Sequence, residues 1–390
     1  MKERAKITLL TASDFPYGGA AENLVRQLAL GINKNNVKVE VIRYRGSRYN
    51  NTKNDTPVRC SNFLFKRPRN GELANVLELI LIILHTPIFI FYRKLFKKDK
   101  NIVLYGIEFS FLIVPILFWC KVFRIKCYRF ITDIYSEKSI ASAWWKKPKL
   151  IFYKRQFTRI DKKLNGIIVL SKLLYNLCLE YGVKENNLIL IPHFIDTSYS
   201  PPTEVKKTTC INIVYVGSLT KSNGIFDLID AYKIVEELRN NTKLIIIGEL
   251  SPEISDKIDS FYFKDQNIEF LGFLSKEKIK EILLMSSILV NPRKSGQLAE
   301  AGFPTKLGEY FATKKPVVTT RVGDLAKYFT DKEEVIFANP DSPNSLAESI
   351  IYLIDKYNIA EEIGNKGYLW AVNHLDYIKN SQKFIEFIDR

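Results

Sequence analysis

Short apolar runs of strand length alternate with stretches of helical period along nearly the whole chain, and few folds admit that alternation. Ile7 to Thr11 reads as a strand and a Gly18-Gly19 turn follows it. Leu24, Leu28 and Ile32 then recur at helical spacing, and Val37 to Arg43 forms the next strand. The same grammar returns at Ile102 to Tyr105, Cys127 to Thr132 and Ile167 to Leu170. It continues at Ile211 to Val216, Leu244 to Ile247, Ile268 to Leu271, Ile288 to Val290 and Pro316 to Thr319. Strands apolar on both faces need cover on both faces, so the chain predicts parallel sheets flanked by helices in two α/β units.

A chain of 390 residues exceeds one comfortable core. The pattern breaks between Thr197 and Thr209, where Ser-Tyr-Ser-Pro-Pro-Thr-Glu and a charged run intervene. The expected division is therefore an N-terminal Rossmann-like domain over 1–200 and a C-terminal one over 201–370, followed by a last helix over 371–390. Charge separates the halves too. Residues 1–200 carry 34 Lys and Arg against 15 Asp and Glu, whereas 201–390 carry 24 against 27. Such a basic half favours an anionic partner such as a membrane surface or a pyrophosphate. It holds no recognised nucleic-acid module, so no nucleic-acid partner is expected.

The five cysteines, Cys60, Cys120, Cys127, Cys178 and Cys210, are scattered, without a Cys-x-x-Cys pair, which fits a reducing cytoplasm. The apolar run Val76 to Tyr92 contains Glu78, His85 and Pro87, and Phe109 to Trp119 contains Pro115. Both are expected to be helices buried on the first sheet, broken at proline, rather than membrane spans. Basic residues stand beside aromatic ones at Arg93 to Lys98, Trp144 to Lys149 and Tyr153 to Arg155, the composition of a surface resting on anionic lipid.

The densest chemical signal is Gly302 to Thr320, GFPTKLGEYFATKKPVVTT. Pro304 suits the first turn of a helix, where the N–H groups of Thr305, Lys306 and Leu307 are free for a diphosphate. Glu309 follows within two turns, placed to accept hydrogen bonds from ribose hydroxyls. A strand-to-helix turn, Val216 to Gly224, offers Gly217, Ser218, Lys221 and Asn223. Arg293 follows the strand ending at Asn291. Gly18 and Gly19 are not a Gly-x-Gly-x-x-Gly fingerprint, so a nicotinamide cofactor is not expected.

These segments resemble the family 4 retaining glycosyltransferases, whose helix carries two glutamates eight positions apart before a Lys-Pro-Val-Val strand. Glu309 stands at the second of these; Ala301 occupies the first, and Glu300 is one residue out of phase. The family's arginine and lysine in the first loop of the second domain are replaced by Ser218 and Asn223, which moves the diphosphate charge onto Lys306, Lys221 and Arg293. The resemblance implies the GT-B fold, two facing Rossmann-like domains with an active cleft between them and the last helix crossing back to the first.

It also implies a nucleotide-diphosphate sugar as co-substrate, with no further cofactor and no metal. Gly18, Gly19, Gly217, Ser218, Asn223, Gly248, Phe270, Gly272, Phe303, Pro304 and Thr305 would bind the donor. Asp133 and His193 are candidates for the acceptor, a glycan or polyprenyl-linked glycan, although Asp133 equally suits a helix cap and His193 a packed histidine. From the scattered cysteines and the basic, aromatic N-terminal half, the expected protein is cytoplasmic, peripheral to the membrane and active in bacterial surface polysaccharide synthesis. A non-catalytic GT-B binding subunit and a nucleotide-sugar epimerase are the competing readings.

Overall fold

The computed structural model describes residues 6–13, 15–16, 19–44, 56–63, 72–107, 110–132, 147–197, 210–250, 266–296, 299–300 and 302–390. The side chains of residues 20, 72–78, 110 and 147–150 are outside that description.

Among the described residues, seven strands form one parallel sheet. They are β1 (Ile7–Thr11), β2 (Val39–Arg43), β3 (Arg59–Asn62), β4 (Asn101–Tyr105), β5 (Lys126–Ile131), β6 (Gly166–Val169) and β7 (Leu188–Leu190), in the order β3-β2-β1-β4-β5-β6-β7. Pairing is in step, with Leu9 opposite Val41 on one side and Val103 on the other. A second parallel sheet holds β8 (Ile211–Val216), β9 (Thr242–Ile247), β10 (Ile268–Gly272), β11 (Ile288–Asn291), β12 (Val317–Thr320) and β13 (Ile336–Ala338), in the order β10-β9-β8-β11-β12-β13. Both sheets are buried on both faces, which is why their central strands read as unbroken apolar runs.

The chain divides into two compact units. One comprises Met1–Phe194 together with Asp376–Arg390, the other Ile195–Leu375. These boundaries lie a few residues from the expected ones, because Ile195 already belongs to the second unit, its N–H donating to the Leu375 carbonyl at 2.8 Å. The helix Tyr377–Asp389 completes the first unit. Phe384 and Phe387 enter its core, and the Tyr128 hydroxyl donates to the Ile388 carbonyl at 2.9 Å.

Two helices differ from expectation. The helix Glu72–Leu95 runs through Pro87 and the helix Ser110–Val122 through Pro115. In the turn where Pro87 supplies no N–H, the Thr86 hydroxyl donates to the Ile82 carbonyl at 2.8 Å. Nor are these helices buried all round. Ile82, Phe89 and Ile90 lie in the core, whereas Leu84 and Ile88 are each 65% exposed.

Beneath the first sheet, charged side chains are folded into the core in closed groups. Arg93 binds Asp99 at 2.5 Å and Glu40 at 2.8 Å, and Arg129 binds Asp161 at 2.6 Å. The guanidinium of Arg93 holds the Glu40 carboxyl at about 2, outweighing the upward push of burial.

Candidate functional site

In a parallel α/β sheet, ligands meet the carboxyl ends of the strands where the strand order reverses, because loops on either side diverge there. In the second sheet the reversal falls between β8 and β11. The residues beyond those strand ends are Gly217-Ser218 and Pro292-Arg293, so topology alone brings two of the sequence-predicted segments to one place.

The backbone there is bare for a reason. Gly217 and Gly248 both hold φ near +149°, and a Cβ on Gly248 would lie 1.9 Å from the Gly217 carbonyl oxygen. The ladder runs one residue past the strands, Gly217 N–H donating to Ile247 and Gly248 N–H to Gly272, each at 2.9 Å. Over Gly217 sits the ammonium of Lys306, which a Cβ on that glycine would approach to 2.9 Å.

Lys306 is fixed by a relay. Its ammonium donates to the Tyr215 hydroxyl at 3.1 Å, and that hydroxyl donates to the Ser218 carbonyl at 3.0 Å. The same carbonyl accepts from the Asn223 amide at 2.8 Å. Asn223 is therefore committed to shaping the loop, while the Ser218 side chain stays exposed. Lys221 stands on the exposed turn Lys221–Asn223, in which the Asn223 N–H donates to the Thr220 hydroxyl oxygen at 3.2 Å; the relay does not include Lys221.

Arg293 reaches the Gly302 carbonyl at 3.5 Å, tying the loop after β11 to the segment that leads into the helix Thr305–Ala312. Its neighbour Lys294 is held by Asp227 at 2.8 Å and Asp341 at 3.1 Å. Gly224 closes the arrangement. It has φ +74°, and a Cβ there would lie 1.7 Å from the Pro292 carbonyl oxygen, so the two loops touch backbone to backbone.

Electrostatics follow from this crowding. Burial, aided by the Arg293 guanidinium, lowers the Lys306 ammonium to about 7, against a smaller upward pull from Glu309. The Glu309 side chain reaches solvent, yet the surrounding protein holds its carboxyl above the ordinary value, opposed by Lys276 and Lys306. A cation and a carboxylate one helical turn apart are thus both moved toward neutrality, a pattern that clusters at functional sites.

The helix that carries them is anchored elsewhere. The Tyr310 hydroxyl accepts from the Val216 N–H at 2.9 Å and lies 3.4 Å from the Val290 carbonyl, bridging β8 and β11. Gly308 lets the helix lie on Ile195, whose Cγ1 would be 2.3 Å from an added Cβ. Pro304 is the N-cap rather than the first helical residue. The Leu307 N–H donates back to the Pro304 carbonyl at 3.0 Å, so the diphosphate-facing positions narrow to Thr305 and Lys306.

Several expected ligand residues prove to be packing residues. Phe303 is buried against Tyr328 and Phe329. Phe270 is half-buried and packs onto the core of the second unit, on the same face of β10 as Ile268. Phe273, just beyond, is 82% exposed. In the first unit His193 is buried, its Nδ1 3.2 Å from the Phe194 carbonyl, and burial lowers it to about 4, leaving it neutral. Its carbonyl is held by Asn380 at 2.7 Å. Gly19 caps the helix Ala20–Lys34 beside the reversal between β1 and β4, whereas Gly18, Asp133 and Ala301 lie outside the described residues. Sequence reasoning missed Tyr215 and Tyr310. Their signal was a lone tyrosine inside each of two segments already singled out, Ile-Val-Tyr-Val-Gly and Leu-Gly-Glu-Tyr-Phe.

Comparison with known proteins agrees with this geometry. Residues 200–370 match the family described as glycosyl transferases group 1. An uncharacterized glycosyltransferase of Methanocaldococcus jannaschii is 33% identical over 156 residues, 40% of this chain and 41% of that protein. A capsular polysaccharide biosynthesis glycosyltransferase of Staphylococcus aureus is 29% identical over 155 residues, 40% of each chain. The chain thus spans about two fifths of the length of these relatives. Among solved structures, Anabaena HepE in complex with UDP superposes with a TM-score of 0.74 at 15% identity, covering 98% of this chain and 99% of that one. The two Rossmann-like units have the GT-B fold.

Proposed function

We propose that this chain, whose residues 200–370 belong to the glycosyl transferase group 1 family, moves a sugar from a nucleotide-diphosphate donor to a glycan or lipid-linked glycan, with retention at the anomeric carbon. The observation that carries the reading is the Lys306 ammonium held over the bare backbone of Gly217, with the Arg293 guanidinium near enough to act on it, where the second sheet reverses its strand order. As the bond from the anomeric carbon to the diphosphate oxygen breaks, negative charge collects on the diphosphate. The two cations and the N–H groups of Thr305 and Lys306 receive that charge, the acceptor's hydroxyl oxygen bonds to the anomeric carbon on the face the diphosphate leaves, and the departing oxygen takes that hydroxyl's proton. Side-chain cations do this work without a metal ion. Glu309 accepts hydrogen bonds from the ribose hydroxyls.

The Staphylococcus aureus relative, named for capsular polysaccharide biosynthesis, supports a surface polysaccharide as the product. The UDP in the Anabaena structure makes UDP-sugars the first donors to test. The basic N-terminal half carries the protein peripherally on the cytoplasmic face of the membrane, where a polyprenyl-linked acceptor would be found.

A panel of UDP-, GDP-, ADP- and TDP-sugars read by thermal shift identifies the donor, since a ligand of the folded state raises its melting temperature. Transfer from that donor, abolished in Lys306→Ala and Glu309→Ala, is the expected result. The commitment of Asn223 to the Ser218 carbonyl favours one second reading, a GT-B protein that binds nucleotide sugars without turning them over. Donor binding with neither hydrolysis nor transfer, across a range of glycan acceptors, would establish that reading instead.

A further inference from the structure

The exposed apolar side chains of this protein are not scattered. On the helix Glu72–Leu95 they recur at Leu81, Leu84, Ile88, Tyr92 and Leu95, and on the helix Ser110–Val122 at Val114, Phe118 and Val122. Spacings of three and four residues place each set on one helical face. The opposite face of each helix is in the core, through Ile82, Phe89 and Ile90 on the first and Ile113, Ile116 and Leu117 on the second. The stripes are therefore fixed outward by the fold.

They also converge at one end. The Lys94 ammonium donates to the Arg124 carbonyl at 3.3 Å, and the rings of Phe91 and Phe123 are 5.5 Å apart, so the carboxyl ends of the two helices adjoin. Phe96, just past the first helix, is 70% exposed and stacks on Tyr92 at 5.3 Å, and the Lys97 ammonium lies 5.7 Å from the centre of the Tyr92 ring. Lys98, Lys100, Lys121, Arg124 and Lys126 are exposed around this end. Among the described residues from 79 to 132 the one carboxylate is Asp99, and it is buried against Arg93.

We infer that the paired outer faces of Glu72–Leu95 and Ser110–Val122 form a docking surface for an anionic lipid bilayer, with the apolar stripes entering the headgroup boundary and the cations meeting lipid phosphates. Charge decides the occupant. A contiguous apolar face larger than scattered surface residues produce calls for a cover, and a cationic rim, in which the one carboxylate among the described residues from 79 to 132 is buried, is complementary to an anionic sheet. A second copy of the chain would bring the same cations against each other. The inference deepens the membrane-peripheral part of the proposed function by naming its surface, and it stands independently of sugar transfer.

Flotation of the full chain with vesicles, without sugar nucleotide, tests it. The protein should float with phosphatidylcholine vesicles containing phosphatidylglycerol and remain behind with phosphatidylcholine alone, and binding should weaken as salt rises. The variant Leu84→Glu/Ile88→Glu/Phe118→Glu should lower the bound fraction at least tenfold. Lys97→Ala/Lys98→Ala/Lys121→Ala should weaken binding by about fivefold per lysine. All six positions are on the protein surface, so unfolding curves matching the wild type certify the variants. Absence of flotation with the phosphatidylglycerol vesicles, or binding by both variants equal to that of the wild type, overturns the inference. So does a dimer in light scattering that Leu84→Glu dissociates without any vesicle binding. The thermal shift given by the donor nucleotide sugar should be the same in every variant, so its loss or absence reports on the donor site and leaves the lipid test standing.

Discussion

The ammonium of Lys306 lies 3.1 Å from the hydroxyl of Tyr215 and 4.2 Å from the centre of its ring. Burial lowers that ammonium from 10.5 to about 7, so its charge is lost as pH rises through neutrality. Lys306→Met should weaken donor binding by roughly tenfold or more, as for a lost charge-assisted hydrogen bond. In the wild type, affinity should decline above about pH 7, and the variant should lack that decline; calorimetric titration across pH measures both. The linkage has the opposite sign for folding. Between about 7 and 10.5 the unfolded chain binds a proton that the folded one does not, so stability rises with pH over that window. Below it Lys306→Met should be no less stable than the wild type.

Glu309 gives the acid limb. Its carboxyl is held above its ordinary 4.5 by the surrounding protein, so the carboxylate is lost at a higher pH than for a free side chain. Binding that uses the carboxylate falls as pH drops. Glu309→Gln should cost about tenfold in donor affinity at pH 8, on the order of 1–2 kcal/mol for hydrogen bonds to a charged acceptor. The difference between the two proteins should shrink as pH falls, and should begin to do so at a higher pH than for a free glutamate. Parallel pH profiles would remove Glu309 from the ribose.

Gly224→Ala and Gly272→Ala form a matched pair. Both glycines have positive φ, but a Cβ at 224 meets the Pro292 carbonyl oxygen at 1.7 Å and one at 272 meets nothing within 4 Å. Gly272→Ala should cost about 1 kcal/mol, the ordinary left-handed penalty. Gly224→Ala should cost at least about 2 kcal/mol more and reduce donor binding, because the loop bearing Arg293 has to move. Urea unfolding gives the first quantity and calorimetry the second.

Arg129 and Asp161, 2.6 Å apart and almost fully buried, form a closed pair in the first unit, to which Gln156 also donates. Asp161→Ala should destabilise by about 3–5 kcal/mol, since it leaves a guanidinium buried without its carboxylate. Arg129→Met/Asp161→Leu should cost less than that single change. A double variant no better than Asp161→Ala in urea unfolding would show that shape, not charge, dominates there.

The strands legible in the sequence were those with neighbours on both sides, together with the edge strand β10, whose five residues are longer than the other edges. β3, β7 and β13 escaped notice, and all are edge strands of three or four residues, too short for a period and, in Arg59–Asn62, half exposed. Pro87 and Pro115 misled because a helix resting on a sheet tolerates a missing N–H that an isolated helix would not. At the site, the charged members Lys306, Arg293 and Glu309 were readable because their chemistry is local to a motif. Tyr215 and Tyr310 were not, since their roles come from pairings 91 and 94 residues away along the chain. Phe270 and Phe303 show the converse, aromatic residues whose direction is set by packing that spacing alone does not reveal.

The helix Tyr377–Asp389 gives the protein a history as well as a shape. Residues 195–375 leave the ribosome as a uninterrupted unit and can close around their own sheet as soon as they emerge. The earlier-made unit has to wait with the surfaces of Leu28 and Tyr128 unfinished until Ser381 and Ile388 arrive to bond them. The first half to be synthesised is thus the last to be completed, and a nascent chain stalled after residue 375 would carry a finished second unit behind an open first one.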